Sequence, residues 1–316
     1  MTRSSRPVLL IALCAGVVLL LLPLTVGRPG MPPVLKADEP AYYLAALSLV
    51  EDGDLVCDEG DIRRLVDAYP YLPIENLILM SRDGWQTAYF GKPYLISLLA
   101  APLVGLFEAR GMVFLNMLLL LAMIWMGARY LARFNPGPTA AIFAGCFFLL
   151  SPAFVYVFWL QPEILNMFGV AVAYYLVFHR PEPAERAPRA GRLARFLCSP
   201  WLRWSLSAAG LAVAVYNKPM LAALGLPLVF RLLRERGWSA AAAWVLAAAA
   251  AMGVQAGGSL ALTGQPSAYL GAARAGIKVD DPAGVEETFE LMAELNRRTV
   301  AQKGQEFASY DWLARV

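Results

Sequence analysis

Asp38 and Glu39 are adjacent carboxylates set immediately before Pro40, just beyond an apolar run over residues 7–27 that is long enough to cross a bilayer. Proline suits a first helical position and pushes the residue before it towards extended geometry. The sequence therefore predicts a helix beginning at Pro40 over AYYLAALSLVEDGD, with Glu39 as its N-cap and Asp38 in the extended segment ahead of it. Both carboxylates would stand at the exposed mouth of a helix lying just outside a membrane; the same tripeptide also suits an ordinary capped surface helix. Glu163, in the turn Gln161-Pro162-Glu163, is a third candidate carboxylate, and Lys92, Lys218, Arg82 and Arg274 are candidate cations. Carboxylates alone repel a phosphate, and cations alone activate no nucleophile. Together they suit transfer of a group away from a phosphate: one carboxylate takes the proton of an incoming hydroxyl or amine while the cations hold the departing charge. A substrate arriving from the membrane plane would carry that phosphate on a lipid. Tyr42, Tyr43, Trp85, Tyr89, Tyr94 and Trp159 lie near these positions. They suit stacking on sugar rings and equally suit the aromatic belt of any membrane interface.

Other chemistries find little support. A single histidine, His179, rules out a His-rich metal site. Cys14, Cys57, Cys146 and Cys198 form no CxxC pattern and no evident disulfide pair. No basic repeat or motif points to nucleic acid.

The elements that must position these groups are membrane helices. Hydrophobic residues make up 59% of the chain and charged ones 16%, with mean hydropathy +0.52, against roughly 45–50% and about 25% in soluble domains. Apolar runs place spans at 7–27, 112–132, 139–160, 164–179, 202–217, 220–234 and 238–262. Segment 93–107 either crosses or dips in as a re-entrant or interfacial helix. If it only dips, the short loops on one side are rich in arginine and poor in acids, while the other side is net acidic. By the positive-inside rule this sets the N-terminus inside and residues 28–111 and 263–316 outside. All five lysines, Lys36, Lys92, Lys218, Lys278 and Lys303, then fall outside, against the usual bias, which makes them candidates for binding an anion; the alternative, that each snorkels or is simply solvated, suits Lys278 and Lys303 best. The expected fold is an all-α polytopic membrane protein: about seven transmembrane helices, a long helical first outer loop (28–111), and a tail (263–316) that Thr263-Gly264-Gln265-Pro266 separates from the last span. Asp281-Pro282 would cap one amphipathic tail helix through about Lys303, with Val285, Phe289, Met292 and Leu295 on one face, either covering the site or resting on the membrane.

Four segments in order resemble the GT-C superfamily of membrane glycosyltransferases, which includes protein O-mannosyltransferases, aminoarabinose transferases and oligosaccharyltransferase catalytic subunits. They are ADEPAYYLAALSLVEDGDL after the first span, YFGKPYLISLLAAPLVGLF before the second, SPAFVYVFWLQPEILNMFGVAVAYYL around an outer turn, and NKPMLAALGLPLVF. The resemblance covers most of residues 7–275. It implies a sugar donor on a polyprenyl phosphate, membrane lipids as surroundings, a glycan, lipid or protein acceptor, and a periplasmic active site in a multi-pass protein of the bacterial inner membrane. Residue by residue, it makes Asp38 the catalytic acid of the first outer loop and Glu39 its neighbour in an Asp-Glu pair. Lys92 in Gly-Lys-Pro becomes the donor-phosphate lysine, and Glu163 a second outer carboxylate. Lys218, Arg274 and Tyr89 complete the expected substrate-binding set.

Two departures from the superfamily stand out. Its members usually have more spans, often eleven or more, so a seven-span chain reads as a fragment or a reduced member. No Asp-x-Asp stands where the metal-using members need it, and Asp52-Gly53-Asp54 reads as a turn; a divalent metal is unsupported unless Asp38, Glu39 and Glu163 converge. The competing readings are a flippase or transporter of lipid-linked sugars, against which the lack of charge inside the spans argues, and a noncatalytic partner in a glycan-assembly complex.

Overall fold

The computed structural model describes residues 15–25, 35, 37–68, 74–83, 87–179, 199–269 and 273–279. Lys36, Trp85, Cys14, Cys198, Lys303 and the expected tail helix lie outside the described residues, as does the side chain of Lys278. The chain is mostly helical and divides into two units. One comprises Pro23–Leu115 with Ala256–Val316, the other Met1–Leu22 with Asn116–Gln255.

In the first unit the central element is α2 (Glu39–Glu51). Its AYYLAAL stretch is apolar all round, which favours a helix buried on every side over a surface helix. Ala41, Tyr42, Tyr43, Leu44 and Ala46 are accordingly buried. This corrects the alternative of an ordinary surface helix, and at the helix mouth Glu39 is buried while Asp38 stays partly exposed. It also removes Tyr42, Tyr43 and Tyr94 from any sugar-stacking surface, since all three are core residues. The helix ends through Asp52 and left-handed Gly53 (φ 79°), the turn expected at Asp52-Gly53-Asp54. It is followed by α3 (Glu59–Ala68). Packed on α2 is α4 (Leu95–Phe107), tied by a buried hydrogen bond from the Ser97 hydroxyl to the Tyr42 carbonyl (2.8 Å). At 13 residues, α4 rises only about 20 Å, short of the ~30 Å of bilayer hydrocarbon.

A three-stranded antiparallel sheet of order β2-β1-β3 completes this unit, from β1 (Ile74–Ser81), β2 (Tyr89–Phe90) and β3 (Ala273–Val279). The all-α expectation is corrected here. Leu77, Leu79 and Met80 are buried, so ILM-rich β1 is the covered central strand. Its partner β3 comes from the expected tail, which therefore folds with the 28–111 segment, at least through Val279.

In the second unit, α5 (Ala109–Leu131) contributes its later turns, followed by α6 (Gly137–Leu149), α7 (Pro152–Tyr156), α8 (Glu163–Phe178), α9 (Pro200–Asn217), a 3-10 turn (Pro219–Gly225), α10 (Leu226–Arg236) and the earlier turns of α11 (Trp238–Thr263). The core includes Ala173, Val177, Ala208, Leu211, Leu228, Leu232 and Trp244. α8 and α9 approach so closely that a Cβ on Gly210 would sit 2.8 Å from the Gly169 carbonyl oxygen, the small-residue packing typical of helices in lipid. The Ser207 hydroxyl donates to the Ala173 carbonyl (2.8 Å) and accepts from the Trp244 indole (3.0 Å), so a buried polar group is satisfied inside the bundle.

Among the described residues two helices, α5 and α11, are long and apolar enough to cross a membrane. The other predicted spans do not form single helices of that kind among the described residues, because proline divides some and others are short. Span 139–160 becomes α6 and α7, broken at Ser151-Pro152, where the Ser151 hydroxyl caps α7 by accepting from the Ala153 amide. Span 220–234 starts as the 3-10 turn after Pro219 and continues as α10. α8 has 16 residues, and α9 carries Arg203 near its start. Phe143 and Phe147 on α6, Leu150 just past its end, and Leu246 and Val254 on α11 are exposed, an amount of open apolar surface that soluble monomers rarely carry.

Candidate functional site

The Asp38 carboxylate accepts from the Lys92 ammonium (Nζ to Oδ2, 2.5 Å). The chain enters α2 through Ala37 in left-handed geometry (φ 51°), which costs a non-glycine residue about 1 kcal/mol. Asp38 then occupies the N-cap position with φ −83°, ψ 0° and makes no side-chain cap bond. Two expectations are corrected: Asp38 is not extended, and Glu39 is the first helical residue instead of the cap. The boundary shift is one residue, because proline is as comfortable at the second helical position as at the first. Glu39 is buried, only 7% exposed, and its place in the first turn lets the positive end of the helix dipole stabilise a negative charge.

Lys92 is held by its neighbours in the chain. Gly91 lies against β1: its amide donates to the Ile78 carbonyl (2.8 Å), and a Cβ there would meet the Ile78 side chain and backbone at 3.0–3.1 Å. Pro93 fixes the backbone on the other side. The Lys92 side chain is 12% exposed and that of Asp38 35%, so the lysine stem is packed while the carboxylate reaches solvent. An ammonium has three N–H donors, and Asp38 takes one of them.

Arg274 on β3 joins this cluster through the backbone, donating from Nη2 to the Gly91 carbonyl (2.5 Å), with its guanidinium 5.4 Å from the Tyr269 ring centroid. Tyr89 and Arg274 are both register partners of Met80, so they flank it on one face of the sheet. Tyr89 is half-buried. Arg82 donates to the Gly264 carbonyl (3.1 Å), and Gly264 (φ 66°) has no room for a Cβ beside that guanidinium. Arg82 thus fastens the end of α11 in the first unit.

The second pair is Glu163 and Lys218, joined at 2.6 Å in the other unit. Glu163 is the first residue of α8; Lys218 follows α9 in the extended backbone (φ −140°, ψ 95°) that a following proline imposes. One turn deeper, the Asn217 amide donates to Asn166 Oδ1 (2.9 Å), both side chains buried. Trp159, 42% exposed, remains open. Sequence reasoning misses the Asn166–Asn217 bond, although two signals point to it: Asn166 is three residues after Glu163 and shares its helix face, and Asn217 adjoins Lys218.

A second network that the sequence reading misses opens α3. Asp58 and Asp61 cap each other's amides reciprocally (3.1 and 3.0 Å), a capping box with Asp in place of Glu. Arg64 joins Asp61 (2.8 Å) to Asp52 at the end of α2. Burial is the largest influence on Asp61 and pushes its carboxyl up to about 6, against the opposing pull of the Asp58 amide and Arg64. Burial, with Asp61 and Asp58 nearby, also holds the Cys57 thiol well above its ordinary range, so it is not an activated nucleophile. Among the described residues, no group of three or more His, Cys, Asp or Glu side chains is placed to hold a metal ion.

Comparison of the chain with protein-family models found no match, and comparison with curated proteins and with solved structures found none at a significant level.

Proposed function

We propose that this chain is a membrane glycosyltransferase of the GT-C type, moving a sugar from a polyprenyl-phosphate donor to an acceptor on the outer face of a bacterial inner membrane. The observation that carries this reading is the Asp38–Lys92 pair, two residues with separate expected roles that stand in contact. In the reaction, an acceptor hydroxyl oxygen attacks the anomeric carbon, and the bond from that carbon to the phosphate oxygen breaks. The phosphate leaves with the electron pair, and the hydroxyl proton passes to Asp38. The two N–H donors of Lys92 not used by Asp38 face the phosphate oxygens, so donor phosphate draws on the same ammonium and loosens its hold on the base. With one carboxylate opposite the leaving group, the displacement inverts the anomeric centre. Glu39 supports Asp38 from the first turn of α2, while Arg274 and Tyr89 shape the donor side.

The topology that belongs to this reading has seven spans, the N-terminus in the cytoplasm, residues 28–111 and 263–316 outside, and α4 dipping without crossing. The length of α4 and the open apolar faces of α6 and α11 support it. The decisive assay uses membranes containing the chain and a polyprenyl-phosphate sugar. Asp38→Asn keeps the shape and removes the base, so turnover falls by roughly 10²–10⁴-fold. Full activity in that variant rejects Asp38 as the base, and a retained anomeric configuration rejects single displacement.

A further inference from the structure

Glu163 Oε1 is taken by Lys218, while its other carboxylate oxygen, Oε2, is buried without a hydrogen-bond partner among the described residues. The Asn166 side chain is only 5% exposed. Its oxygen is used by Asn217, and its Nδ2 is likewise buried and unpartnered among the described residues. These atoms sit one turn apart on the same face of α8. A buried acceptor or donor left without a hydrogen-bond partner is costly, and here an acceptor and a donor stand one turn apart on one helix face.

The chemistry of a group that bridges them is constrained. Lys218 already balances Glu163, and an ammonium at 2.6 Å repels a metal cation. A group that both donates and accepts satisfies the two atoms at once, as a hydroxyl does: its hydrogen to Glu163 Oε2 and its oxygen to Asn166 Nδ2. Lys218 is 45% exposed, leaving donors for an anion beside that hydroxyl. We infer that the α8–α9 end is a binding site for a glycosyl phosphate, with Glu163 and Asn166 reading a ring hydroxyl and Lys218 contacting the phosphate. The inference rests on the reading of the chain as handling phosphate-linked sugars and adds Asn166 as a specificity-determining residue.

The test measures binding to the full-length chain in nanodiscs, using farnesyl phosphate bare or carrying glucose, mannose or arabinose, with glucose 1-phosphate as the lipid-free arm. Wild type should bind at least one glycosylated probe about tenfold or more tightly than bare farnesyl phosphate. Glu163→Gln and Asn166→Asp, the latter keeping an acceptor for Asn217, should each shrink that gap below about threefold without changing the affinity for bare farnesyl phosphate. Equal loss for both probes is what a merely structural role gives, and it overturns the inference. So does an unchanged gap, as when a single water satisfies both atoms, or the absence of any gap in wild type. Equal binding of glucose 1-phosphate assigns the site to soluble sugar phosphates, and weaker binding assigns it to the lipid-linked form. The catalytic reading is judged separately: if turnover depends on Asp38 while the gap is unmoved, only the α8–α9 site fails.

Discussion

Lys92 Nζ lies 2.5 Å from Asp38 Oδ2, although 54 residues of chain separate them. The contact joins the start of α2 to the Gly-Lys-Pro segment that β1 and Arg274 hold in place. Because Asp38 is partly solvent-exposed, the pair contributes little to stability, about 1 kcal/mol or less.

Lys92→Ala should therefore fold normally and fail in donor use. We expect donor binding to weaken at least tenfold, with Lys92→Arg restoring part of it, since the charge survives while its geometry changes. Donor affinity and turnover measured in membranes decide this; values equal to wild type in Lys92→Ala would reduce the lysine to an interfacial ion-pair partner.

The seam between α8 and α9 makes a prediction about folding. Gly169→Ala drives a methyl into the Gly210 carbonyl, a backbone group that cannot step aside, and should cost on the order of 1–3 kcal/mol. Gly145, inside α6, has nothing within 4 Å of the place a methyl would occupy, so Gly145→Ala should stabilise by about 0.5–1 kcal/mol. Thermal midpoints in one detergent, moving in opposite directions for the two variants, are the expected result.

Long apolar runs are legible in the sequence because length alone identifies them: the predicted 238–262 is α11 at Trp238–Thr263, and 112–132 is α5 at Ala109–Leu131. Prolines 152 and 219 break other runs, since a helix loses a backbone donor there whatever its hydropathy. The sheet is illegible for a different reason. β1 pairs with β3, nearly two hundred residues later, and neither short strand signals its partner. At the candidate sites the residue types are readable and the pairings are not. Asp38, Lys92, Glu163 and Lys218 each stand out by chemistry and position, but that they form two ion pairs depends on non-local packing. In the sequence Asn166 is only a polar residue in an apolar span, because its meaning comes from Asn217 across the seam.

The Asp61 carboxyl gives the segment around α3 a pH dependence. Its folded value, about 6, exceeds the ordinary 3.8 because burial disfavours the charge. A group raised on folding binds protons more tightly in the folded state, so its stabilising contribution is complete below about 3.8 and is lost as pH rises through about 6. Protection of the α3 amides against hydrogen exchange should thus increase from pH 7 to pH 5. In Asp61→Asn, which has no proton to gain, the corrected protection factors should be flat over that window. A pH profile unchanged by the substitution would place the titration elsewhere.

Topology is the broadest prediction. Glu51, at the end of α2, and Asn135, between α5 and α6, are both exposed and fall on opposite sides in the seven-span arrangement. With the four native cysteines replaced by alanine, Glu51→Cys should react with a membrane-impermeant maleimide in intact spheroplasts, and Asn135→Cys only after permeabilisation. The arrangement depends on α4 turning back. Glu108 adopts a left-handed φ of 53° directly after α4, and Gly111 has no room for a side chain against the Leu103 backbone, so the chain reverses tightly where α4 meets α5. The seven-span arrangement needs α4 to lie along the outer face, so that α5 begins there and crosses inward. If α4 crosses, the reversal sends α5 back to the face from which α4 entered, and every later loop changes sides. Labelling of Glu51→Cys and Asn135→Cys from the same side would therefore show that α4 crosses and would overturn the seven-span assignment.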